Sequence, residues 1–168
     1  REIGEYCREN FIHFIPSLST FGHMYDTLEQ PQYRHLRVLK DYQPEPNFWH
    51  ARMAHHTIDP TDPRSLDLVK HLIDQYAPNF SSPWFNICCD ETMDLCRGKN
   101  EGKDKAEAYF YHLDKLIALA RSYGKTVMLW GDECMAYPDI AKERVPSDAV
   151  VLNWCYRREV NEWIPKVF

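Results

Sequence analysis

Four short apolar runs, each stopped by acidic, aromatic or turn-forming residues and separated by helix-length stretches, constrain this chain more than any other feature. They are FIHFI (11–15), WFNIC (84–88), KTVMLW (125–130) and AVVLNW (149–154). Runs this short, bounded by such residues, read as buried strands. Strands that alternate with helical patterns read as βα units around a parallel sheet. The helical stretches are legible in detail. Asp62 before Pro63 is an N-cap and first-turn pair, and Leu66, Val69, Leu72, Ile73 and Tyr76 then recur on one face before Pro78. A longer helix carries Ala106, Tyr109, Phe110, Leu113, Leu116, Ile117 and Ala120 and ends at Gly124. Residues 1–10 read as a helix, Pro138 opens a short one to about Arg144, and a last helix begins near Glu159. Residues 17–61 form one long insertion, a length typical of lids and binding loops. Tyr25, Tyr33, Phe48, Trp49, Arg52, His55 and His56 supply its aromatic and polar groups, although ordinary loop packing accounts for any one of them.

Composition closes other routes. With 44% hydrophobic and 14% aromatic residues the chain can bury enough surface to fold, which excludes a disordered tail. Its 168 residues alone predict a single domain. Twenty basic against 25 acidic residues leave a net charge of −5, which argues against nucleic acid and anionic membrane as main partners. No apolar run approaches the ~20 residues of a membrane span. The chain opens at Arg1 rather than Met, which reads as a processed product or a piece of something longer. Six cysteines, Cys7, Cys88, Cys89, Cys96, Cys134 and Cys155, contain no C-x-x-C pair, and the simpler reading is buried, reduced thiols in a cytoplasmic protein.

In parallel βα architectures the chemistry sits at the carboxyl ends of the strands. The first run is followed by Ser17, Thr20, Gly22 and His23, the second by Asp90, Glu91 and Asp94. The third hands over Trp130, Asp132 and Glu133, the fourth Asn153, Trp154 and Tyr156. Residues entering the strands, Asn10, Pro83, Lys125 and Ser147, are ordinary solvent-facing types. Two carboxylates beside flat aromatic walls suit glycoside hydrolysis, which needs a proton donor and a second group to stabilise positive charge. Ordinary retaining enzymes hold their carboxyls about 5–5.5 Å apart on different strands. Sequence neighbours therefore suggest that one donates the proton while the other orients a nucleophile belonging to the substrate. A lone Asp-Glu at a strand end would more simply be a helix N-cap or a solvated loop; Trp130, Trp154 and His23 shift the balance. His23 reads as the partner that tunes the acid. Metal binding by His55, His56, Asp59 and Asp62 is disfavoured, because adjacent histidines share no face and no H-E-x-x-H spacing exists. Neither a Gly-rich phosphate loop nor a G-x-S-x-G elbow is present.

These residues resemble a known family. FNICCDETMDL (85–95) looks like the catalytic strand of glycoside hydrolase family 20, the β-N-acetylhexosaminidases. IHFIPSLSTFGHM (12–24) is similar to the preceding strand, with its Pro followed by a Gly-His pair, and VMLWGD (127–132) and VLNWCY (151–156) resemble the next two. Each motif alone is weak, and the ordered set is fairly specific. The resemblance implies a (β/α)8 TIM barrel that removes terminal β-linked N-acetylhexosamine from an oligosaccharide or glycoconjugate with retention, using the substrate's 2-acetamido oxygen as nucleophile. Carried onto this chain, Glu91 is the general acid and then base, Asp90 orients the acetamido group, and His23 supports the acid. Trp130 and Trp154 wall the sugar, with Asp132 and Tyr156 beside them. No cofactor or metal is implied.

Two departures stand out. The family usually has Gly-Gly before Asp-Glu, where this chain has Cys88-Cys89, and that leaves the sugar preference open. Matching places the four runs as the third to sixth strands of eight, so residues 1–168 read as one segment of a barrel incomplete at both ends. Eight βα units need about 250 residues. The remaining strands then come from the parent chain. Two rivals remain: an exo-β-glucosaminidase or other β-hexosidase on the same barrel, and a carbohydrate-binding α/β module without turnover.

Overall fold

A computed structural model describes residues 2–41 and 56–156. Helix α1 (Glu2–Glu9) is followed by the short α2 (Tyr25–Leu28) and then α3 (Pro63–Tyr76). Asp62 caps α3 as its spacing predicts, its carboxylate accepting the Arg64 N–H at 3.0 Å while Pro63 takes the first turn. Strand β1 (Trp84–Asn86) precedes the long α4 (Lys105–Ser122), whose cap is Asp104 on the Glu107 N–H at 3.0 Å. Gly124 leaves α4 at φ +69°, the left-handed exit that glycine makes without strain. Then come β2 (Thr126–Trp130), α5 (Asp132–Ala136), α6 (Pro138–Arg144) and β3 (Val150–Leu152).

The sheet is parallel in the order β1-β2-β3, with Phe85 opposite Val127 and Met128 opposite Val150. Val127 and Leu129 alternate inward along β2. With Phe85 and Ile87 they pack on Val69 and Ile73 of α3 and on Phe110, Leu113, Leu116 and Ile117 of α4. Each fully buried Leu, Ile or Phe contributes about 1.5–3 kcal/mol. This shared core aligns the strands so that their carboxyl ends open on one side.

The run at 11–15 is not a strand. Phe11 lies at φ +56° and is fully exposed, and the Ile12 N–H returns to the Cys7 carbonyl at 2.8 Å. The start of the run is thus consumed in closing α1 by the left-handed, six-to-one pattern of a helix end. Pairing with β1 begins later: the Asn86 N–H reaches Pro16 O at 2.9 Å and the Leu18 N–H reaches Asn86 O at 3.0 Å, leaving a single parallel bridge at Ser17. Pro16 offers no N–H of its own to extend it. The other strands form where expected but shorter: 84–88 gives β1 over three residues and 149–154 gives β3 over three. Helix α5 was not legible, since five residues are too few to show a period. The helix near Glu159 and the insertion residues Phe48, Trp49, Arg52 and His55 lie outside the described residues. Among the described residues no helix is long and apolar enough to cross a membrane.

Candidate active site

The end of β1 is coiled rather than extended. Cys88, Cys89 and Glu91 take φ values of 60°, 68° and 46°, so the chain tightens at once and presents Asp90 and Glu91 together. Non-glycine residues in this region carry strain and persist where surrounding bonds fix them. Those bonds come from every neighbouring element. Thr20 donates its hydroxyl to Ile87 O at 2.7 Å, Tyr109 of α4 donates to Cys89 O at 3.0 Å, and the Trp130 N–H of β2 meets Cys88 O at 2.9 Å. Burial and the Asp90 charge push the Cys88 thiol up, against the pull of side-chain hydrogen bonds with Ser17, Ser19 and Trp130.

His23 reaches the carboxylates from the loop after Ser17. Its Nε2 lies 3.3 Å from Asp90 Oδ2 and 3.0 Å from Glu91 Oε2. The hydrogen bond to Asp90 raises its pKa above 6.5; burial opposes this, and the charges of Asp90 and Glu91 add to the rise. Gly22 makes the approach possible, because a β-carbon there would overlap the Asp90 carbonyl oxygen. All three side chains keep partial exposure, so a ligand can reach them.

Asp132, the first residue of α5, turns toward the same loop. Its Oδ2 accepts the Glu91 N–H at 2.9 Å, and its Oδ1 is buried without a hydrogen-bond partner. Burial raises the Asp132 pKa, and the charges of Asp90 and Glu133 raise it further, against the pull of the Glu91 N–H. The next residue along repeats the pattern: Glu133 accepts the Thr92 hydroxyl at 2.6 Å and pairs with Lys105 at 2.9 Å.

His23, Asp90, Glu91 and Asp132 therefore form one connected cluster, with Trp130 joined to it through Cys88. Past the end of β3, Trp154 and Tyr156 form an exposed aromatic pair with ring centroids 5.3 Å apart. Gly131 lets β3 come close, since a β-carbon there would lie 2.7 Å from Asn153 Oδ1 and Val151 Cγ1. Among the described residues no group of three or more His, Cys, Asp or Glu is placed to hold a metal ion.

A second polar cluster was missed in the sequence. Glu29 Oε1 meets Arg37 Nη1 and His56 Nε2, each at 2.8 Å, and the Tyr25 ring stacks on His56 at 5.1 Å. Burial would raise the Glu29 carboxyl, but the His56 bond and the Arg37 charge outweigh it and hold the pKa low. The Met24 N–H binds His56 O at 3.3 Å, so this cluster anchors the residue next to His23. Its members are separated by 8 and 19 residues, too far for any local pattern to betray them.

Chemically, the strand end offers two adjacent carboxyls bridged by one imidazole and open to solvent. One can lend a proton while the other remains an oriented anion. Known proteins resemble this chain as a whole. The model of the glycosyl hydrolase family 20 catalytic domain matches residues 1–165. Hexosaminidase D of Bos taurus is 27% identical over 173 residues, covering 96% of this chain and 46% of that protein, so the chain spans about half the length of this curated relative. The structure is similar to that of the Flavobacterium johnsoniae chitobiase, with TM-score 0.69 and 21% identity over 92% of this chain and 23% of the other. It is also similar to a β-N-acetylhexosaminidase from Bacteroides fragilis, with TM-score 0.69 and 17% identity over 93% and 30%. These likenesses establish the fold as part of a TIM barrel. Because the family pattern extends over nearly every residue, from α1 through the coiled Asp90-Glu91 strand end and beyond β3, the chain belongs to glycosyl hydrolase family 20.

Proposed function

We propose that the protein containing this chain is a retaining β-N-acetylhexosaminidase that releases terminal β-linked N-acetylhexosamine from oligosaccharides or glycoconjugates. The observation that carries the reading is the imidazole of His23 bridging two carboxyls from consecutive residues. Consecutive carboxyls at one strand end suit an oriented substrate nucleophile better than a second, distant protein nucleophile. Glu91 donates a proton to the glycosidic oxygen as the C1–O bond breaks. Asp90 holds the 2-acetamido group so that its carbonyl oxygen attacks C1, giving a cyclic intermediate. Glu91, now a carboxylate, takes a proton from the water that opens that ring, and both inversions together retain configuration. His23 holds the acid in place, while Trp130, Trp154 and Tyr156 supply apolar walls for the sugar.

Strands β1, β2 and β3 act as the fourth to sixth of the barrel, the bridge at Ser17 stands in the place of the third, and residues 1–168 act as one segment of it. Membership of the family and coverage of half of a hexosaminidase relative support this reading. The remaining strands of the parent chain complete the sugar site. The test is Glu91→Gln in the full-length protein, assayed on an aryl N-acetyl-β-glucosaminide. Loss of the general acid lowers the rate at least ~10²–10⁴-fold; near-normal hydrolysis would sink the reading.

A further inference from the structure

Two consecutive residues of one strand-end helix grip two consecutive residues of the catalytic loop. Asp132 accepts the Glu91 backbone N–H at 2.9 Å, and Glu133 accepts the Thr92 hydroxyl at 2.6 Å. Lys105 of α4 neutralises Glu133 at 2.9 Å, tying the pair to a third element. The residue held in this way is Glu91 itself, in a left-handed conformation at φ 46° that few residues other than glycine adopt. The family resemblance sets Asp132 beside the sugar. Its atoms are otherwise disposed: Oδ2 is engaged with the Glu91 amide and Oδ1 is buried.

We propose that Asp132 is a positioning residue, which fixes the backbone of Glu91 and thereby aims its carboxyl, and that it makes no sugar contact. The assignment rests on Glu91 acting as the general acid. A carboxylate is suited to the task because its charge strengthens a bond from a backbone donor. Thr92 and Glu133 set the register, so that the loop cannot slide along α5 when the Glu91 side chain moves to meet substrate. A misplacement of about 1 Å in a reacting group can cost 10²-fold in rate.

The experiment compares Asp132→Ala and Asp132→Asn in the full-length protein on an aryl N-acetyl-β-glucosaminide, with Glu91→Gln in the same assay. Asparagine keeps an acceptor oxygen for the Glu91 N–H; alanine removes it. Asp132→Ala is expected to lose about 10–10²-fold in kcat with KM nearly unchanged, and Asp132→Asn to recover to within about five-fold of the parent. A rise in KM at constant kcat would mark a sugar contact and overturn the assignment, as would equal losses in the two variants or none in either. Amide hydrogen exchange of the unaltered protein supplies a test that survives misfolding of the variants. Slow exchange at Glu91 supports the bond, and exchange as fast as in an open loop overturns it. Full activity of Glu91→Gln would instead remove the general acid on which the assignment rests, and so separates the two failures.

Discussion

Gly22 lies against Asp90 so closely that a β-carbon at residue 22 would overlap the Asp90 carbonyl oxygen and stand 3.1 Å from that of Glu91. No backbone angle demands glycine there; the requirement is space. Gly22→Ala is expected to push the two loops apart, at a cost of about 1–3 kcal/mol, and to carry His23 away from both carboxylates. Urea midpoints and hydrolysis rates of the full-length variant check this, the rate falling by more than the loss of folded protein explains.

His23 gives a pH signature. Its folded pKa is raised, chiefly by the hydrogen bond to Asp90, so the imidazolium is favoured in the native state. The stability it contributes is fully present below about pH 6.5, the unperturbed value, and is lost as pH rises through the raised one. His23→Asn removes that dependence. Denaturation midpoints measured from pH 5.5 to about pH 8.5 should fall for the parent and stay flatter for the variant.

His112 carries the opposite sign. It is buried beside Phe21, with ring centroids 4.6 Å apart and neither ring nitrogen hydrogen-bonded, and burial lowers its pKa to about 3. The unfolded chain binds a proton near pH 6.5 that the native state refuses, so stability declines from about pH 6.5 down to the lowered pKa. A difference of this size corresponds to a few kcal/mol at acid pH. His112→Leu is expected to flatten the acid limb of stability with little change at pH 8, as read by thermal unfolding at both ends.

Cys88 and Cys89 stand where the family resemblance leads one to expect Gly-Gly, and their φ values of 60° and 68° are ones that glycine adopts without strain. A left-handed L-residue costs roughly 1–2 kcal/mol. Cys88→Gly is therefore expected to stay within about 1 kcal/mol of the parent, relief of strain offsetting the lost thiol contact with Ser17 at 3.2 Å. Cys88→Val, branched at the β-carbon, is expected to destabilise by about 2 kcal/mol or more. Chemical denaturation of the pair decides it.

The parts legible in the sequence were those with local causes. Asp62-Pro63 announces α3, Gly124 ends α4, and a short apolar run marks β2. The run at 11–15 misled because its composition says strand while its first residues close α1 and Pro16 interrupts the ladder. At the site, Asp90, Glu91 and His23 were legible as residue types at strand ends. Their contact was not, since 67 residues separate His23 from Asp90 and a positive φ leaves no trace in a cysteine. The turn of Asp132 toward Glu91 depends on α5, a helix too short to be read.

We propose that Asp90 and Glu91 act on a nucleophile carried by the substrate. It is tested most directly by comparing matched aryl β-glycosides bearing 2-acetamido, 2-amino and 2-hydroxy groups, using the full-length protein and its Asp90→Asn variant. The acetamido substrate is expected to be hydrolysed at least ~10²-fold faster than the others, and Asp90→Asn to remove most of this advantage. Comparable rates on all three substrates, or an advantage that survives Asp90→Asn undiminished, would contradict it.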